Sequence, residues 1–153
     1  MARRYFTVGE VDRLIPRLER IFIQVIQLRS AMRTEEKKLE RAGVTLSAEA
    51  LEKDSSRDPA AVRQAKMMFR AYYEALTEGL SEVDFVGGEV KDMEIGLVDF
   101  LARRGEEDVL LCWKLGERSV EHWHPVDSGF RGRKPLDDGI PREPGLMPEP
   151  GLD

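Results

Sequence analysis

From Val11 to Leu39, apolar residues recur every seven positions. Val11, Leu18, Val25, Met32 and Leu39 form one seam, and Leu14, Ile21 and Leu28 form the other. Such a stripe falls on one face only if the segment is α-helical, and it stays out of water only against a matching partner. Ile15 and Phe22 widen the stripe early, whereas Glu35 takes a seam position later, so the apolar face narrows along the helix. The start is marked by Thr7 with Glu10 three residues on, a capping box, and by Phe6 and Val11 at the positions of a hydrophobic staple. These signals predict a helix over 7–41, kinked near Pro16, where one backbone hydrogen bond is lost, with Gly43 as its C-terminal cap.

A second stripe, Val62, Ala65, Phe69, Tyr72, Leu76, Leu80 and Val83, predicts a helix over 58–85, with Asp58 as N-cap and Pro59 in the first position. The connection between them is polar, with room for a short helical turn at Ser47–Lys53. Two such helices should pack antiparallel as a hairpin. Gly87–Gly88 then breaks the helical period. Three short runs rich in β-branched and aromatic residues follow, at 95–102, 108–115 and 119–126, separated by Arg104-Gly105-Glu106 and Gly116-Glu117-Arg118. The expected fold is α+β: a long antiparallel helical hairpin packed on a small three-stranded antiparallel β-meander, one domain over 5–136. Residues 137–153, with prolines at 141, 144, 148 and 150, are expected to form a flexible tail.

Four stretches, YFTVGEVDRLIPRL, VGGEVKDMEIGLVDF, LLCWKLGERSVEHWH and GFRGRKPL, occur in this order between Tyr5 and Leu136. Together they resemble the bacterial domain-of-unknown-function family numbered 2203. The resemblance implies a fold neighbourhood and brings no activity with it. Leu101 stands where the family pattern leads one to expect a proline after Val-Asp-Phe.

Composition narrows the function. In 153 residues, 35% are charged and the formal net charge is −5, which disfavours general binding to nucleic acid phosphates. Cys112 is the only cysteine, so no internal disulfide forms. No stretch has the length and apolarity of a membrane span, and the first residues lack a secretory pattern, so a soluble cytoplasmic protein is expected. There is no phosphate-binding loop, no dinucleotide fingerprint and no Cys-x-x-Cys pair. With two histidines and one cysteine, few catalytic sets can be assembled, and the reading leans away from an enzyme. The heptads run longer than a small sheet can cover, which predicts a homodimer with a four-helix core, and an interaction or scaffold module with room for an unknown protein partner.

One place could carry chemistry. His122 and His124 are two apart on a predicted strand, hence on one face, with bases roughly 6–7 Å apart, workable for two ligands of one metal. A four-residue loop Gly116–Ser119 would set Trp113 across from His122 and Leu111 across from His124, leaving Cys112 on the other face with Trp123. A slip of one residue would bring Cys112 to the histidine face. Asp99 interrupts an apolar strand. With a five-residue loop it lies across from Leu111, about 9–10 Å from His124 at the strand level, within reach of a hydrogen bond more readily than of a shared ion. The alternative function is therefore a small metal-binding protein or metal-dependent enzyme using His122, His124 and Asp99. No cofactor is expected under the first reading, and a divalent transition metal such as zinc under the second. Glu89, Asp92 and Glu94 are read as cap and loop residues that could add oxygen ligands. Arg131, Arg133 and Lys134, in a glycine-rich loop, are candidates for an anion or a partner's carboxylates, against the plainer reading that they pair with the protein's own acidic groups.

Overall fold

The structure is a computed structural model describing residues 4–53 and 55–144. Helix α1 spans Val8–Arg41, α2 Ala48–Glu52 and α3 Ala60–Phe85. The capping box forms as read: the Glu10 amide donates to Thr7 Oγ1 at 3.2 Å, and the Thr7 amide to Glu10 Oε1 at 3.0 Å. That amide bond is the main reason the Glu10 carboxyl titrates below its ordinary value. Pro16 sits on an exposed side of α1, and the helix continues through it. Gly43 ends α1 with φ +78°, and the Val44 amide reaches back to the Leu39 carbonyl at 2.9 Å.

The chain forms two compact units, 21–82 and the remainder. In the first, α1 and α3 pack as an antiparallel hairpin. Leu39, late in α1, packs with Val62 and Ala65, early in α3, and Val44 and Leu46 close over them. Near the other end, Gly79 faces Ile21 and Val25 at a distance a methyl group would just fill. Glu35, the polar residue in the seam, is 7% exposed and accepts a bond from Lys38 at 3.1 Å. The connection contains α2, whose start is capped by Ser47 accepting from the Ala50 amide.

The second unit holds α1 up to Arg20 and the chain from Val83 onward. Its sheet has five antiparallel strands, where three were expected: β1 Glu89–Asp92, β2 Leu97–Arg104, β3 Glu107–Lys114, β4 His122–Pro125 and β5 Lys134–Pro135, adjacent in that order. The two additional strands lie at the edges. β1 contains one apolar residue, Val90, and β5 is two residues long with a proline, so neither has the alternation that marks a half-buried strand.

Both registers differ from expectation. β2 and β3 pair up to Arg104–Glu107 through the two-residue turn Gly105–Glu106, which sets Asp99 across from Cys112 rather than Leu111. Gly105, at φ +66°, has the handedness that tight hairpins require, and the opposed Arg103–Asp108 and Arg104–Glu107 pairs favour this alignment. β3 and β4 pair with Cys112 across from His122, Leu111 from Trp123 and Leu110 from His124. This is the one-residue slip. It follows from how the intervening loop is held. Val120 leaves the ladder and is buried, its amide donating to Asp12 Oδ1 at 2.8 Å. Glu117 folds back to accept the Lys114 amide, while its carbonyl takes the Trp113 indole N–H.

The sheet therefore has two unlike faces. Val98, Phe100, Ala102, Val109, Leu111, Trp113 and Trp123 share one and are all buried. Phe6 stacks edge-on against Phe100 with ring centres 5.1 Å apart. Its neighbour Gly87, at φ +100°, has no room for a side chain because the Phe6 ring fills the space. Asp99, Leu101, Leu110, Cys112, His122 and His124 lie on the other face.

Residues 137–144, expected as the start of a flexible tail, fold back onto the first turn of α1. Ile140 is 1% exposed, and the Val8 and Gly9 amides donate to the Pro141 and Arg142 carbonyls at 3.0 and 2.7 Å. These amides have no partner within the helix, so the returning chain satisfies them. The rest of the expected tail, 145–153, lies outside the described residues. No helix among the described residues is long and apolar enough to cross a membrane.

Candidate functional site

The polar cluster on the second face follows from the observed register. Asp99 and Cys112 are directly opposed on neighbouring strands, and His124, one strand further and displaced by two residues, leans across toward Asp99. His124 Nε2 lies 2.9 Å from Asp99 Oδ2, so the gap expected between the strand positions is closed by the side chains themselves. Both residues are nearly fully buried, at 3% and 2% exposure, and Cys112 is completely so.

The hydrogen bonding of His124 is informative. Its Nδ1 lies 2.8 Å from the Pro125 carbonyl, which can only accept, and its Nε2 faces a carboxylate oxygen. Nδ1 therefore carries a proton, and a second proton lies between Nε2 and Oδ2. The pair is neutral as a whole, either as imidazolium with carboxylate or as imidazole with carboxylic acid. The other carboxyl oxygen, Asp99 Oδ1, is buried with no hydrogen-bond partner among the described residues. Such an atom carries a desolvation penalty, and the weak donor beside the carboxyl, the Cys112 thiol, offsets it only in part.

Without a cation this arrangement is unreactive. Burial, and then the charge of Asp99, push the Cys112 thiol up to about 12, so it stays protonated and is no nucleophile near neutral pH. Neither ring nitrogen of His124 is left to take a proton from a substrate. A divalent cation changes this chemistry. One donor atom from each of Asp99, Cys112 and His124 lies within 4.8 Å of the others. Ligands of a tetrahedral zinc ion stand about 3.5 Å apart, so modest side-chain shifts would close the triangle. The ion would displace the proton from the histidine–aspartate pair and that of the thiol. The group could thus hold a metal, and the donor set of one sulfur, one nitrogen and one oxygen suits a borderline ion such as zinc.

The sequence-derived candidates are divided by the structure. His124 and Asp99 come together. His122 does not join them: its Nδ1 points to Glu117 Oε2 at 3.5 Å, in a group with Glu121 that is only partly buried. Cys112 joins them, because the slip puts it on the histidine face in place of Leu111 and Trp113, whereas His122 shares that face and turns toward Glu117. The signal for this was the alternation in Leu-Leu-Cys-Trp-Lys, readable only once the loop register is known. Glu89 pairs with Lys91 at 2.8 Å, and Asp92 accepts turn amides from Glu94 and Ile95.

Of the basic loop, Arg133 is committed within the protein. It donates to both Glu117 carboxylate oxygens at 2.8 and 2.9 Å and to the Cys112 carbonyl at 3.3 Å. Lys134 lies over the Trp123 ring, 5.2 Å from its centre, and Arg131 is exposed.

The family model described as an uncharacterised conserved protein, domain of unknown function 2203, matches residues 4–136, and the chain belongs to this family. No curated protein matches the chain. No solved structure matches it either.

Proposed function

We propose that this member of an uncharacterised family is a metal-binding protein whose ion is held by Asp99, Cys112 and His124. The observation that carries this reading is the unpartnered Oδ1 of Asp99, a buried carboxyl oxygen beside a thiol and an imidazole on the sheet's polar face. A bound cation supplies the missing partner, and it explains why three such groups share a buried site that apolar residues would fill at lower cost. The anion reading of Arg131, Arg133 and Lys134 has less support, since Arg133 is already paired with Glu117. The test is elemental analysis of protein purified without a histidine tag or chelators, followed by zinc titration. About one equivalent of metal is expected, as for a single protein site. It should be lost in Cys112→Ser and Asp99→Asn variants whose circular dichroism is unchanged. Protein that neither carries metal nor takes up zinc would overturn the proposal.

A second reading, self-association as an interaction module, draws on the hairpin unit. Ile23, Ile26, Met67 and Tyr73 are 52%, 46%, 62% and 51% exposed there, more apolar surface on one helix pair than a solvated hairpin requires. Light scattering over a concentration series tests it. A homodimer disrupted by Ile23→Glu and Met67→Glu is expected, and a monomer at high concentration would rule it out.

A further inference from the structure

A cleft of about 550 Å³ opens on the polar face of the sheet, beside the cluster. Its wall is built from Glu89, Asp99, Leu101, Asp108, Leu110 and Val126, with the backbone of the turn between α3 and β1 completing it. Asp99 belongs to both the cleft and the metal-binding group. Among the described residues that group offers three donors, whereas zinc and its analogues take at least four ligands. Closed structural sites fill all four positions from the protein, and sites that act on a ligand keep one open. Here the one residue at the boundary of cluster and cleft also carries the unpartnered oxygen.

Resting on the metal-binding reading above, we infer that the ion keeps an open coordination position toward this cleft, and that the position receives a small uncharged nitrogen base with an apolar body. The wall determines the class. Leu101, Leu110 and Val126 offer apolar surface, and among the described residues no lysine, arginine or histidine lines the cleft. Glu89 and Asp108 bring negative charge, partly offset by Lys91 at 2.8 Å and Arg103 at 3.6 Å outside the lining. An anion entering a cleft with carboxylates and, among the described residues, no cation in its wall meets repulsion. An imidazole or an alkylamine in its neutral form does not, and places its carbon atoms on the leucines.

Cobalt(II) reports coordination directly. The full-length protein loaded with cobalt should show the absorption of a thiolate-bound, four-coordinate ion. Imidazole should shift the visible bands saturably, and azide should do so with an apparent affinity weaker by about tenfold or more, equivalent to about 1.4 kcal/mol. Val126→Trp, which fills the mouth of the cleft, should abolish the imidazole response per bound cobalt. Cobalt uptake without any shift by imidazole or azide would leave a closed metal site and overturn the open position alone. A response to azide as strong as that to imidazole would overturn the ligand class. An undiminished response in Val126→Trp would show that the ligand does not enter by this cleft. Failure to take up cobalt at all would remove the metal-binding reading and this inference with it.

Discussion

The two faces of the sheet are equally buried where they matter and differ in how they are held together. On the Trp113 face, stability comes from surface withdrawn from water: seven apolar residues on three strands, with Phe6 docked against Phe100. On the Asp99 face the same depth is reached with groups that water would solvate better, and their hydrogen bonding is incomplete. The first face explains why the sheet forms. The second contributes little to that and is the place where a ligand would change the energy most.

The largest effect that separates the faces comes from truncation. Trp113→Ala should cost about 3–5 kcal/mol in urea unfolding through the cavity it leaves. His124→Ala should cost a similar amount for another reason, because Asp99 is left buried without its partner. The two are distinguished by repair. Replacing both Asp99 and His124 by leucine should recover most of the loss, or stabilise the protein by about 1–4 kcal/mol, as buried pairs replaced by apolar residues often do. If the double variant is as unstable as His124→Ala alone, the polar face is structural in the ordinary sense and the contrast fails.

A smaller effect concerns pH. In the metal-free protein the Cys112 thiol titrates far above its ordinary value in the folded chain, at about 12, so the unfolded chain releases that proton first as pH rises. Stability from this source is complete below about pH 9 and is lost as pH climbs toward 12. In Cys112→Ala that alkaline slope in the melting temperature should be reduced, whereas a variant of the apolar face should retain it. Native protein should also resist alkylation by iodoacetamide at pH 8 and react once unfolded in urea. Rapid native alkylation would show that the polar face opens readily.

The smallest predicted effects lie at the start of α1. Thr7→Ala should lower stability by about 1 kcal/mol. Glu10 titrates below its ordinary value when folded, so its contribution is present above about pH 4.5 and lost as pH falls through the lowered value. Acid titration of Glu10→Gln against the parent chain should show that part of the slope removed, whereas Thr7→Ala, which keeps the backbone amide, should retain most of it.

What could be read in advance follows the range of the forces involved. The capping box, the Gly43 stop and the two helical stripes depend on residues within a few positions of one another, and each appears where the chain predicts it. The strand registers depend on contacts made elsewhere. Val120 is drawn from the ladder by Asp12, which is 108 positions away in the chain. Glu117 is fixed by Arg133, and that reorientation slides β4 by one residue against β3. Nothing within the hairpin itself distinguishes the two alignments strongly. Leu115–Val120 and Lys114–Glu121 would have made acceptable pairs in the register that does not occur. The site was legible as ingredients, with Asp99 and His124 named and Cys112 noted, and illegible as a set for this reason. The short strands at the edges escaped notice because their charges and proline, which keep an edge from pairing further, also remove the apolar alternation by which strands are recognised.

The returning segment at Ile140–Arg142 has a consequence for how the molecule is made. The Val8 and Gly9 amides leave the ribosome early, and the carbonyls that receive them are translated more than a hundred residues later. During synthesis the nascent helix must therefore wait with its leading turn hydrated, while the hairpin unit can assemble as soon as its own stretch has emerged. Closure of the sheet unit around the start of α1 therefore follows synthesis of the returning segment. An ion destined for that site meets a complete ligand set only after His124 has been made, in the interval before the returning segment docks.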